Sequence, residues 1–109
     1  MREPAPLFTE AYDLCAWLLG RLDGGANQLS QEICTLSLAL LDAVTEGLRA
    51  RDDPTGLYDA DGLLRRLRLR LRLAGETGLL DERRMLHALG HADTLGRQLG
   101  GLLRHRTAQ

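Results

Sequence analysis

Apolar residues recur at three- and four-residue steps through most of this chain. Phe8, Ala11, Tyr12, Cys15, Leu18, Leu19 and Leu22 form one series, and Leu29, Ile33, Leu36, Leu40, Ala43, Val44 and Gly47 form a second. Steps of that size bring side chains onto one face of an α-helix, so the two series predict helices over about 7–22 and 28–51. A proline-punctuated tail, MREPAP, precedes the first, and Asp23-Gly24-Gly25-Ala26-Asn27 reads as the turn between them.

The third segment looks at first like a strand. Residues 63–73 read LLRRLRLRLRL, and the second half alternates strictly. At 100° per residue, however, Ala60, Leu63, Leu64, Leu67, Leu71 and Ala74 fall within a stripe about 100° wide, as an amphipathic helix requires. The helix period accounts for the whole segment and the strand period for only half of it, so a helix over about 57–75 is predicted. Asp52-Asp53-Pro54-Thr55-Gly56 breaks the chain before it, and Glu76-Thr77-Gly78 reads as its stop. On the wheel, Arg65, Arg68 and Arg72 cluster opposite the core stripe, and Arg66 and Arg70 border it. Leu69 and Leu73 make a second apolar ridge, which either widens the core or meets a neighbouring subunit.

Asp81 is a good N-cap for a fourth helix, over about 81–105, with Glu82 in its first turn. Met85, Leu89, Ala92, Leu95, Gly96, Leu99 and Leu103 are its expected core face. Gly90, Gly96, Gly100 and Gly101 cost about 1 kcal/mol each against alanine. They mark either close approach of another backbone or a frayed end. Four helices joined by short turns favour an all-α fold, an antiparallel up-down-up-down four-helix bundle forming one domain over residues 1–109.

Composition agrees. The chain has 109 residues, aromatic residues make up 4% of it, and Val44 and Ile33 are the only β-branched aliphatics. Net charge is -1, but it is unevenly spread: residues 1–62 hold four arginines against eleven acids, and residues 63–109 hold ten arginines against four. All fourteen basic residues are arginine, whose planar fork suits phosphate and carboxylate. Either the halves neutralise each other or a basic surface is held apart for an anionic partner. No acid lies between 63 and 75, so the arginines there need relief from another helix, another subunit or phosphates.

Two cysteines without CxxC spacing, no signal peptide and no apolar run of membrane-spanning length point to a soluble, reducing, cytoplasmic setting without a membrane. His87 and His91 share one side of helix four with His105, yet lack the spacing of a metal site; a metal hydrolase built on them is the weakest reading. Asp59 and Asp61 read as helix-start acids rather than a catalytic pair. Nothing predicts a catalytic residue, a bound metal or a cofactor. The basic run lacks interleaved aromatics, so any nucleic-acid contact is expected at phosphates, sequence-tolerant and salt-sensitive.

Several stretches together resemble a known family: Tyr12-Asp13 followed by Trp17-Leu18-Leu19, Leu57-Tyr58-Asp59-Ala60-Asp61, Leu67-Arg68, Leu71-Arg72-Leu73-Ala74, Gly78-Leu79-Leu80-Asp81-Glu82-Arg83, and the ending LGRQLGGLLR over 95–104. They are similar to the Avd-like four-helix family. This is the accessory variability determinant of diversity-generating retroelements, a relative of the intervening-sequence proteins encoded within some large-subunit ribosomal RNA genes. The resemblance implies a ring-like homopentamer that binds the retroelement's reverse transcriptase and template RNA and supports mutagenic copying without itself being the polymerase. The family's pattern LRxxLR falls on Arg68 and Arg72, which makes them the first choice for RNA or transcriptase contact. Arg65 beside them, and Arg83, Arg84, Arg97 and Arg104 of helix four, complete the expected contact set, with Leu69 and Leu73 as the expected subunit interface. The contrasting reading is a protein-only scaffold, or an intervening-sequence-type bundle, without direct nucleic-acid contact.

Overall fold

The computed structural model describes residues 5–23, 25 and 27–107. The amino-terminal tail through Pro4, and Gly24 and Ala26 of the expected first turn, lie outside the described residues. Four helices make up the fold: α1 (Pro6–Arg21), α2 (Gln28–Arg49), α3 (Thr55–Thr77) and α4 (Glu82–Thr107). No strand occurs among the described residues, and LLRRLRLRLRL lies wholly inside α3. Each helix packs on its neighbours in sequence, and α1 also packs on α4, while the α1 and α3 backbones stay apart. A 26-residue helix spans about 39 Å at 1.5 Å per residue, which is why the longest dimension is 44 Å.

Local chemistry sets the ends. Pro6 opens α1 at the first turn, where its missing N–H costs nothing. The Asn27 side chain accepts from the Ser30 N–H at 2.9 Å at the start of α2. Before α3, the Asp53 carboxylate accepts from the Thr55 N–H (3.0 Å) and hydroxyl (2.6 Å), and these bonds hold its pKa below the ordinary carboxylate value. Asp81 accepts from the Arg84 N–H at 2.8 Å, the cap expected of it. Gly78 ends α3 at φ 81°, a left-handed turn residue, and the Leu80 N–H then donates back to the Ala74 carbonyl.

The α3 core stripe is as expected: Leu57, Ala60, Leu64, Leu67, Leu71 and Ala74 are buried, with Leu63 packed at the edge. Three expected faces need correction. In α1 the buried residues are Leu7, Ala11, Leu14, Cys15 and Leu18, while Tyr12 and Leu19 point outward. This helix carries more apolar residues than one stripe holds, and its neighbours choose the phase. In α2 the expected stripe packs on the core, with Leu29, Leu36 and Ala43 at its margin, but Ser30 and Ser37, which it left out, are buried within it. Their small side chains are hydrogen-bonded: Ser30 Oγ donates to the Asp23 carbonyl at 2.5 Å, and Ser37 Oγ donates to the Cys34 carbonyl at 2.9 Å and accepts from Cys15 Sγ at 3.7 Å. In α4 the buried line is Ala88, Ala92, Leu95 and Leu99, and Met85, Leu89, Gly96 and Leu103 sit at its margins.

Close backbone approach occurs at a different place from the glycines of α4. A Cβ on Gly90 would meet nothing within 4 Å, and one on Gly96, Gly100 or Gly101 would make only ordinary contacts. At the α2–α3 crossing, by contrast, a Cβ on Gly56 would lie 2.7 Å from the Gly47 nitrogen and 2.8 Å from its Cα. A Cβ on Gly47 would lie 2.6 Å from Leu57 Cδ2. These two glycines let the end of α2 and the start of α3 touch through their backbones.

The last turn of α4 is hydrogen-bonded to the end of α2. The half-buried Arg106 side chain donates to the Gly47 carbonyl at 2.6 Å and to the Ala50 carbonyl at 3.3 Å, satisfying carbonyls at the end of α2. Arg106→Ala is expected to lower stability by about 1.5–3 kcal/mol, the usual worth of hydrogen bonds from a charged donor. Urea denaturation would show this as a lower midpoint with an unchanged slope.

Candidate nucleic-acid interface

Helix α3 distributes its arginines by azimuth. Arg65 and Arg72 stand on the outward face together with Leu69 and Leu73, which are 66% and 48% exposed. Arg68 does not lie opposite the core as expected; it sits toward the α3–α4 seam, where its guanidinium meets Asp93 of α4 at 2.5 Å. Arg70 lies on the other flank, 3.9 Å from Glu32 of α2, and also donates to the Arg66 carbonyl at 3.3 Å. Arg65 pairs with Asp61 at 2.6 Å one turn earlier, so Asp61 serves this ion pair in the second turn rather than the helix start. The crowded run is therefore relieved by acids from α2, α4 and its own first turns.

Arg65, Arg68, Leu69 and Arg72 line one shallow depression of about 250 Å³. Arg72 has no carboxylate within ion-pair distance among the described residues, and the carboxylates that pair with Arg65 and Arg68 are partly exposed, Asp61 to 37% and Asp93 to 48%. Exposed pairs of this kind contribute about 0–1 kcal/mol, so a phosphate exchanges for a carboxylate at small cost. The depression presents a cationic rim around an apolar leucine floor.

The remaining expected contact residues are not brought to this place. Arg83 and Arg84 lie at the start of α4, in a cleft shared with Trp17 and Arg21 of α1. Arg97 donates to the Thr94 hydroxyl at 3.3 Å and borders an apolar groove near Leu7, Leu48 and Leu102. Arg104 is exposed near the end of α4.

The histidines face α1. The His91 Nδ1 is bonded to the Glu10 carboxylate, and the His87 ring sits 4.8 Å edge-on from His91 and 4.7 Å from the Trp17 ring. No group of three or more metal-binding side chains converges among the described residues. Cys15 and Cys34 carry free thiols, and burial, followed by the nearby Cys15, pushes the Cys34 thiol above its ordinary pKa. A raised pKa leaves less thiolate, the form that acts as nucleophile. No helix among the described residues is long and apolar enough to cross a membrane.

Two functional elements escaped the sequence pattern. Arg106 is 59 residues from the carbonyl it caps. The Trp17–Arg21 step is visible as an i, i+4 pair, but its meeting with His87, Arg83 and Arg84 is made only by the packing of α1 on α4. Comparison with known proteins matched no family model, no curated protein and no solved structure. The chemistry of the site must then carry its interpretation.

Proposed function

We propose that this chain is a non-enzymatic accessory subunit that holds RNA by its phosphates along α3, and that it serves a reverse transcriptase as the accessory variability determinant of a diversity-generating retroelement does. The observation that carries this reading is the convergence of Arg65, Arg68 and Arg72 on one depression, with Arg72 unpaired among the described residues. The LRxxLR positions, Arg68 and Arg72, both belong to it. Phosphates suit such a rim because guanidinium forks bind their oxygens in pairs.

The working form in this reading is a ring-like homopentamer of up-down-up-down bundles. Leu69 and Leu73 on α3, and Tyr12 and Leu19 on α1, are exposed apolar ridges on two helices whose backbones stay apart. Two different surfaces of one chain can join head to tail, and such contacts close into a ring when the rotation between neighbours divides a full turn. Light scattering is expected to give a multiple of the 12.0 kDa chain mass at micromolar concentration. A monomer would remove the ring.

The RNA reading is tested by fluorescence anisotropy with a single-stranded RNA across a salt series. Replacing Arg65, Arg68 and Arg72 together by glutamine is expected to weaken binding and to reduce the log–log salt slope by about 2, at about 0.7 per lost phosphate contact. Unchanged affinity and slope at low salt would remove the mechanism. The second reading, a scaffold acting by protein contacts alone, is favoured by the carboxylates Asp61, Asp93 and Glu32 that already engage three of the α3 arginines. A reverse transcriptase gene with paired template and variable repeats beside this chain's gene would decide between the two.

A further inference from the structure

The cleft between α1 and the start of α4 has a volume of about 640 Å³, within the range of roughly 300–1,000 Å³ typical of small-ligand sites. Its walls combine two chemistries. Trp17 supplies an indole face and His87 a second ring, 4.7 Å away and tilted by 37°. Arg21, Arg83 and Arg84 supply three guanidinium groups, against the single carboxylate of Asp81. That carboxylate accepts from the Arg84 backbone N–H at 2.8 Å and also lies 4.0 Å from the Arg84 guanidinium, an exposed ion pair that a phosphate replaces at small cost. Leu86, 56% exposed, extends the apolar wall.

We infer that this cleft is a stacking site for one unpaired base of a single-stranded RNA, with Arg83 and Arg84 holding the adjoining phosphates. The inference rests on the RNA-binding reading above and adds to it a base contact remote from α3 in sequence. In the RNA-free chain the Arg21 guanidinium covers the indole, 4.5 Å from the ring centroid. Trp17 is part-buried, and a cation over such a ring contributes on the order of 1 kcal/mol, against about 1–3 kcal/mol for a stacked base. A base therefore displaces Arg21 from the indole, and the released guanidinium joins Arg83 and Arg84 at the backbone. Stacking is indifferent to base identity, whereas a duplex keeps its bases inside and leaves Arg21 over the indole.

Trp17 is the one tryptophan of the chain, so its fluorescence reports on this cleft directly. The full chain is titrated with a ten-nucleotide oligouridylate, an abasic strand of equal length, an RNA duplex and an oligoglutamate peptide, with anisotropy of labelled strands measured in parallel. The expected result is saturable quenching by the oligouridylate, and binding of the abasic strand and the duplex without quenching. Trp17→Leu is expected to weaken oligouridylate binding about 5- to 100-fold, and Trp17→Phe, which keeps a ring and guards against a folding defect, to retain most of it. Arg83→Gln with Arg84→Gln should lower the salt slope by about 1.4 while leaving quenching at saturation intact. RNA bound through the α3 arginines with Trp17 unquenched would overturn the stacking site and leave the RNA reading standing. No RNA bound at low salt would overturn both. Equal quenching by the abasic strand, or by oligoglutamate, would replace base stacking by simple anion or acidic-peptide binding.

Discussion

Gly56→Ala is expected to destabilise the protein by about 3 kcal/mol, at the upper end of ordinary overpacking. Overpacking is usually eased by a side chain moving aside. Here the added methyl would lie 2.7–2.8 Å from the backbone nitrogen and Cα of Gly47, which move only if α2 and α3 separate. Separation would also disturb the carbonyls that Arg106 caps, since Gly47 supplies one of them. For a chain of this size the loss corresponds to roughly 10–15 °C in Tm. Gly90→Ala is the matched control. It lies within α4 with nothing near its missing Cβ, so alanine is expected to stabilise by about 0.4–1 kcal/mol through the unfolded chain. Thermal and urea melts of the two variants check both signs. A Gly56→Ala protein as stable as its parent would mean that the two helices do not meet through their backbones.

The second large effect separates two leucines that are neighbours in the alternating run. Leu67 is fully buried, and Leu67→Ala is expected to cost about 2–5 kcal/mol as lost transfer energy plus a cavity. Leu69, two residues on, is 66% exposed, and Leu69→Ala is expected to change chain stability by less than about 0.5 kcal/mol. A strand would place Leu67, Leu69, Leu71 and Leu73 on one face with comparable costs. Urea midpoints are measured at a concentration low enough to keep the chain monomeric. Equal losses at 67 and 69 would sink the assigned helical phase. If the outward ridge is a subunit contact, Leu69→Ala also reduces the mass seen by light scattering at high concentration while leaving the dilute midpoint in place.

Much of this was legible in the chain itself wherever the signal is local. The existence of four helices follows from apolar spacing, their limits to within a few residues from Pro6, Asn27, Pro54, Gly78 and Asp81, and the buried stripe of α3 from a single angular count. Each of these depends on residues within about one turn of each other, where helix geometry leaves few choices. The gathering of Arg65 and Arg72 on an outward face was legible for the same reason. Arg68 was misplaced because the wheel gives an azimuth but not the position of the neighbouring helix, and only α4 brings Asp93 to it.

The sequence by itself therefore determined helix content, helix limits and the separation of an acidic first half from an arginine-rich second half, since these are properties of spacing and composition. The tertiary structure alone decided the rest. It chose Leu7 and Leu14 over Tyr12 and Leu19 for the core of α1, buried Ser30 and Ser37, and put the tight backbone contact at Gly47 and Gly56 rather than in α4. It also assembled Trp17 and Arg21 with His87, Arg83 and Arg84 across more than sixty residues of chain. The physical reason is common to all of them. A helix with more apolar or charged residues than one face can use is ambiguous in isolation, and the packing of its neighbours removes the ambiguity.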